Sequence, residues 1–197
     1  MNRVVMALME ILASAAVLIP IYLLLNRYAF RNAGKSVIYC VFSFYLVAVY
    51  VLVGMPNITY LRFDISGNLI PVLGILGDLK NSVLNVALFV PLGLLLPLIW
   101  GKYRSGRETL LFGFGMSAAI ELLQVFTYRA TDVNDLITNV LGTALGFLLG
   151  KRLLHSCPKA ARGEDAYELF LVCLIVLIVM FFVQPFISQI VWDGVLY

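Results

Sequence analysis

Six long apolar runs constrain this chain more than any other feature. They lie near residues 4–25, 36–55, 82–100, 109–127, 134–150 and 168–190. Runs of this length cross a hydrocarbon core of about 30 Å as α-helices, the fifth only barely. In lipid a chain must satisfy its own backbone polar groups, so such runs fold as spanning helices. Composition agrees. The chain is 62% hydrophobic and only 13% charged, against roughly 25% charged in a soluble domain. The sequence predicts an all-α, polytopic integral membrane helix bundle of about six transmembrane helices. Residues 1–197 read as a single membrane domain, with a cytoplasmic linker at 151–167 and a final transmembrane helix with a short outer tail at 168–197.

Basic residues orient the helices. Arg27, Arg31 and Lys35 follow the first run; Lys102, Arg104 and Arg107 the third; Lys151, Arg152, Lys159 and Arg162 the fifth. These are ten of the fourteen Lys and Arg residues. Their side is predicted to be cytoplasmic, which puts both termini outside. The first run continues apolar past Ala13–Ala16 to Leu25 and reads as a retained helix, not a cleaved signal. The second half of the outer connection Pro56–Asn81, GNLIPVLGILGDLK, is apolar but interrupted by Gly67, Pro71, Gly74 and Gly77. It reads as a re-entrant or interfacial segment. Pro20, Pro91, Pro97 and Pro185 each remove a helical donor and leave a carbonyl to be satisfied elsewhere. Cys40, Cys157 and Cys173 fall near the reducing face, where no disulfide is expected.

Between Asn81 and Asn139 the apolar pattern is broken by groups that are costly in hydrocarbon, and an intramembrane carboxylate marks a functional site by default. In the fourth run Gly113, Ser117, Glu121, Gln124 and Tyr128 share one helical face; in the fifth, Asp135, Asn139, Gly142, Gly146 and Gly150 do so. Glu121 lies roughly 9 Å below the outer end at 1.5 Å per residue. A short connection makes the two helices antiparallel neighbours, so their polar faces meet. The glycines permit close helix approach. Asp132 reads equally as a helix N-cap, with Asp135 complementing the dipole. Asn85 and Asn139 read either as interhelical hydrogen-bonding residues or as ligand contacts, and Arg129 either as a structural ion-pair partner or as a ligand contact.

The candidate ligand-binding residues are therefore Asn85, Glu121, Gln124, Arg129, Asp132, Asp135 and Asn139. Their chemistry suits a sugar, a phosphate or a peptide carboxylate. If there is catalysis, Glu121, Asp135 and Arg129 are its candidates. No metal site or cofactor is expected: the outer face lacks His and Cys, and there is no nucleotide fingerprint. No nucleic-acid partner is expected, and no motif speaks to oligomeric state.

Four pieces of this region carry a resemblance: NLIP at Asn68–Pro71, LNVALFVPLG at Leu84–Gly93, IELLQ at Ile120–Gln124, and RATDVNDLITNVLGTALG at Arg129–Gly146. In order and spacing they resemble the VanZ-like family of small bacterial membrane proteins, over a core of about residues 60–150. The resemblance implies a multi-pass protein of the bacterial cytoplasmic membrane, associated with lowered susceptibility to glycopeptide antibiotics, chiefly teicoplanin. It carries over the polar candidates above together with Phe89, Pro91, Gly93 and Gly142 as structural positions; Gly146 is a structural position by the glycine spacing of the fifth run. The expected function is a non-catalytic or modulatory one, in which an outer-leaflet cleft binds a membrane lipid or a lipid-linked cell-wall component. The alternatives are an intramembrane carboxylate enzyme on a lipid-linked substrate and a transporter or flippase.

Overall fold

The computed structural model describes residues 3–59, 61, 67–68, 79–127, 131–156 and 166–196. Helix α1, Arg3–Leu25, widens into a π-helical turn at Asn26–Phe30 and is followed by α2, Ala33–Val53. Helix α3 is Leu79–Ile99, and a 3-10 turn at Gly101–Arg104 leads into α4, Gly106–Gln124. Helix α5 is Val133–Ser156. Helix α6, Ala166–Ile178, passes through a π-helical turn at Val179–Val183 into α7, Gln184–Leu196. Two short β segments, β1 (Gly67–Asn68) and β2 (Thr131–Asp132), pair in parallel, Gly67 with Thr131 and Asn68 with Asp132.

All six expected helical runs form. Among the described residues five stretches are long and apolar enough to cross a membrane: Leu8–Phe30, Ala33–Val53, Leu79–Ile99, Val133–Leu154 and Ala166–Val191. The chain is a multi-pass membrane protein of helical architecture. The run expected at 109–127 forms α4, whose 19 residues include Arg107, Glu108 and Glu121, and these charges keep it out of that set. The run expected to be short, 134–150, is instead 24 residues long. The apolar count stopped at Lys151, but Lys and Arg are good helix formers and favour the negative end of the helix dipole. Most of the expected re-entrant segment lies outside the described residues.

The helices gather into two compact units, one made of α1, α2, α6 and α7 and the other of α3, α4 and α5. In the first, α1 and α2 are tied by Tyr22, whose hydroxyl is 2.6 Å from Ser43 Oγ, and by Ser36 Oγ, which donates to the Tyr22 carbonyl at 2.9 Å. Asn32 caps α2 by accepting the Lys35 N–H at 3.1 Å. Gly54 closes α2 in the left-handed region at φ 66, a conformation that favours glycine. Glu168, in the first turn of α6, receives the Lys35 ammonium and the Tyr39 hydroxyl. Pro185 lacks the N–H that would close on Phe181, four residues back; the Phe181 carbonyl instead accepts the Ile58 N–H at 3.1 Å.

In the second unit α3 and α5 run parallel. A Cβ placed on Gly93 would collide with the Thr143 carbonyl, one on Gly142 with the Val86 carbonyl, and one on Gly146 with the Val90 carbonyl. Only glycine allows these backbones so close. Phe89, Leu92 and Leu96 of α3 are fully buried.

Candidate functional site

Helices α4 and α5 oppose their polar residues rung by rung. At Gly113, an added Cβ would lie 2.6 Å from Thr143 Oγ1. One turn further along α4, Asn139 Nδ2 donates to Ser117 Oγ at 2.9 Å. The next rung of this antiparallel register sets Glu121 opposite Asp135. Glu121 is only 7% exposed. Its Oε2 accepts the backbone N–H of Asp132 at 3.0 Å, which ties the end of α4 to the start of α5.

Asp132 caps α5. Its Oδ1 accepts the Asn134 backbone N–H at 2.9 Å and the Asn134 Nδ2 at 2.7 Å. Asn134 is buried, and its carbonyl accepts Thr138 Oγ1 at 2.9 Å. The buried Gln124 ends α4, where its carbonyl accepts the N–H and hydroxyl of Thr127, each at 2.9 Å. The β1–β2 pairing brings Asn68 of the NLIP piece against Asp132, so two distant parts of the pattern share one end of this unit.

Asn139 is 3% exposed, and its Oδ1 has no hydrogen-bond partner among the described residues. A buried acceptor left open costs on the order of 1–3 kcal/mol. This oxygen lies in the same seam as Glu121, one turn from the rung that Glu121 shares with Asp135. A ligand or water that donates a hydrogen bond would be stabilised there.

The structure thus brings Glu121, Gln124, Asp132, Asp135 and Asn139 to one region of α4 and α5. Asn85 is half-buried on α3, beside Val86, which packs on Gly142. No hydrogen bond links Asn85 to Glu121 or Asn139 among the described residues. Arg129 lies outside the described residues. Among the structural candidates, Phe89, Gly93, Gly142 and Gly146 form the α3–α5 contact, and Pro91 is half-buried within α3. Sequence reasoning did not single out Asn134, Thr138 or Thr143. The Asp-x-Asn spacing from Asp132 to Asn134, a common Asx-turn pattern, was the available signal for the first. Among the described residues no cluster of three or more His, Cys, Asp or Glu is arranged to hold a metal ion.

Residues 37–155 match the family described as VanZ/LLP1. Protein VanZ of Enterococcus faecium is 35% identical over 74 residues, covering 37% of this chain and 45% of that protein. The matched stretch thus spans less than half the length of this curated relative. No solved structure matches. The family match extends over more than half of the chain and includes the whole α4–α5 seam, so the protein belongs to the VanZ/LLP1 family.

Proposed function

We propose that this protein lowers susceptibility to glycopeptide antibiotics of the teicoplanin type by binding a lipid-linked or cell-surface envelope component in the α4–α5 seam. The open Asn139 oxygen, buried one turn from Glu121 in a chain of the VanZ/LLP1 family, carries this reading. An apolar seam would be the cheaper way to join two helices, and a polar one with an unfilled acceptor fits a seam that receives a partner. Glu121, Asp132 and Asp135 supply acceptors, Asn139 and Gln124 supply amides, and Arg129 supplies a cation for a phosphate or carboxylate. In this reading the seam faces the outer leaflet of the bacterial cytoplasmic membrane, and both termini are extracytoplasmic.

The test is teicoplanin and vancomycin susceptibility in a Gram-positive host carrying empty vector, wild type or Glu121→Gln, with membrane levels checked by immunoblot. Protection by wild type alone, stronger against teicoplanin, is expected. Well-inserted wild type that protects no better than empty vector refutes the antibiotic role.

A second reading is an intramembrane enzyme in which Glu121 and Asp135 act as acid and base on a lipid-linked substrate. Their placement on one rung, with Glu121 buried and Asp135 half-buried, favours it. Mass spectrometry of envelope lipids from expressing cells would reveal a product that disappears with Glu121→Gln. An unchanged lipid inventory refutes the reading.

A further inference from the structure

We propose that the end of the α3–α5 unit remote from Glu121 holds an anionic phospholipid, its phosphate between Arg107 and Lys151 and an acyl chain in the groove between α4 and α5. This site does not rest on the function proposed above.

The register of the two helices locates it. Gly113 and Thr143 face each other, so on each helix the following residue, Phe114 and Ala144, is turned about 100° away. In an antiparallel pair these turns lead to the same side. Gly142 and Gly146, on the other flank of α5, pack on α3. The Phe114–Ala144 side is therefore the flank of the α4–α5 pair turned away from α3.

Arg107 lies two turns from Phe114 on this flank, and Lys151 two turns from Ala144. The same register sets Arg107 level with residue 149, within about 3 Å of the level of Lys151 at 1.5 Å per residue. An added Cβ on Gly106 would lie 3.1 Å from Phe147 Cε1, so the two helices remain in contact at this end.

Both cations are exposed, as are Phe114 and Leu148 beneath them. Ala144, small and half-buried, lies between the levels of those two larger side chains. Two cations near one depth beside exposed apolar side chains match one phosphate above one acyl chain. Lys102, Arg104 and Arg152 are also exposed at this end. The one carboxylate of α4 here, Glu108, lies 4.0 Å from Lys102. Among the described residues the surplus at this end is cationic, so the complementary occupant is an anionic lipid and not a zwitterionic one.

The test uses the full chain purified in detergent. Native mass spectrometry compares retention of phosphatidylglycerol with phosphatidylcholine of identical acyl chains. Each basic side chain near an anionic surface is worth about fivefold. Wild type is expected to prefer phosphatidylglycerol by at least about 25-fold. Arg107→Gln with Lys151→Gln should reduce that preference by about 25-fold, while the charge-preserving pair Arg107→Lys with Lys151→Arg retains it. If the neutral pair fails to fold, raising ionic strength should erase the preference in wild type instead.

The proposal is overturned by equal retention of the two lipids by wild type, by an unchanged preference in a folded neutral pair, or by a preference insensitive to salt. Displacement of phosphatidylglycerol by free inorganic phosphate would show a site for a soluble anion and would also overturn it.

Discussion

Glu121 holds the connection between α4 and α5 by accepting the Asp132 backbone N–H, and it sits on the same seam as the open Asn139 oxygen. These two features give separable expectations. Glu121→Ala leaves a part-buried N–H without its acceptor and should destabilise the protein by about 1–3 kcal/mol, read as a lowered melting temperature in detergent. Glu121→Gln keeps an oxygen acceptor and should melt close to wild type, even where it abolishes protection from teicoplanin. Ser117→Ala removes the internal partner of Asn139 Nδ2 but leaves the Oδ1 acceptor in place. If Asn139 serves a ligand, Ser117→Ala should retain protection and Asn139→Leu should lose it; equal loss in both variants would make the amide a packing group. Glu121 was legible in the sequence because a carboxylate inside an apolar run stands out by its cost. Asn134 was not, because an amide beside a cap looks like ordinary turn chemistry until its burial is seen.

At the scale of elements, the α3–α5 contact depends on glycine and α4's outer face does not. An added Cβ at Gly146 would meet the Val90 carbonyl, whereas one at Gly115 would find nothing within 4 Å. Gly146→Ala should therefore destabilise by about 1–3 kcal/mol through backbone displacement. Gly115→Ala should be neutral or stabilise by up to about 1 kcal/mol through helix propensity. Thermal melting of the pair in one detergent checks both signs. Pro185→Ala returns an N–H that competes for the Phe181 carbonyl, so the Ile58 amide should exchange hydrogen faster than in wild type. The glycine spacing was readable as a packing stripe. Its partner was not, because a one-dimensional pattern contains no register between helices.

At the scale of the whole molecule, the proposed orientation puts both termini on one side of the membrane. Reporter fusions at residues 1 and 197 should be extracytoplasmic, and single cysteines introduced at Arg31 and Arg104 should be labelled only from the cytoplasmic side. Opposite placement of the two termini would remove the orientation and with it the outer-leaflet position of the seam. The sequence by itself determined the membrane class, the six helical runs and the polar faces of α4 and α5, because each follows from local properties: apolar length, helical period and the cost of charge in lipid. The tertiary structure decided which faces meet. It set Glu121 on the Asp132 N–H, paired Asn68 with Asp132, matched α5's glycines to α3's carbonyls and left one Asn139 oxygen open. Those depend on register between segments far apart in the chain, which is set by packing many side chains at once and not by any one segment's own pattern.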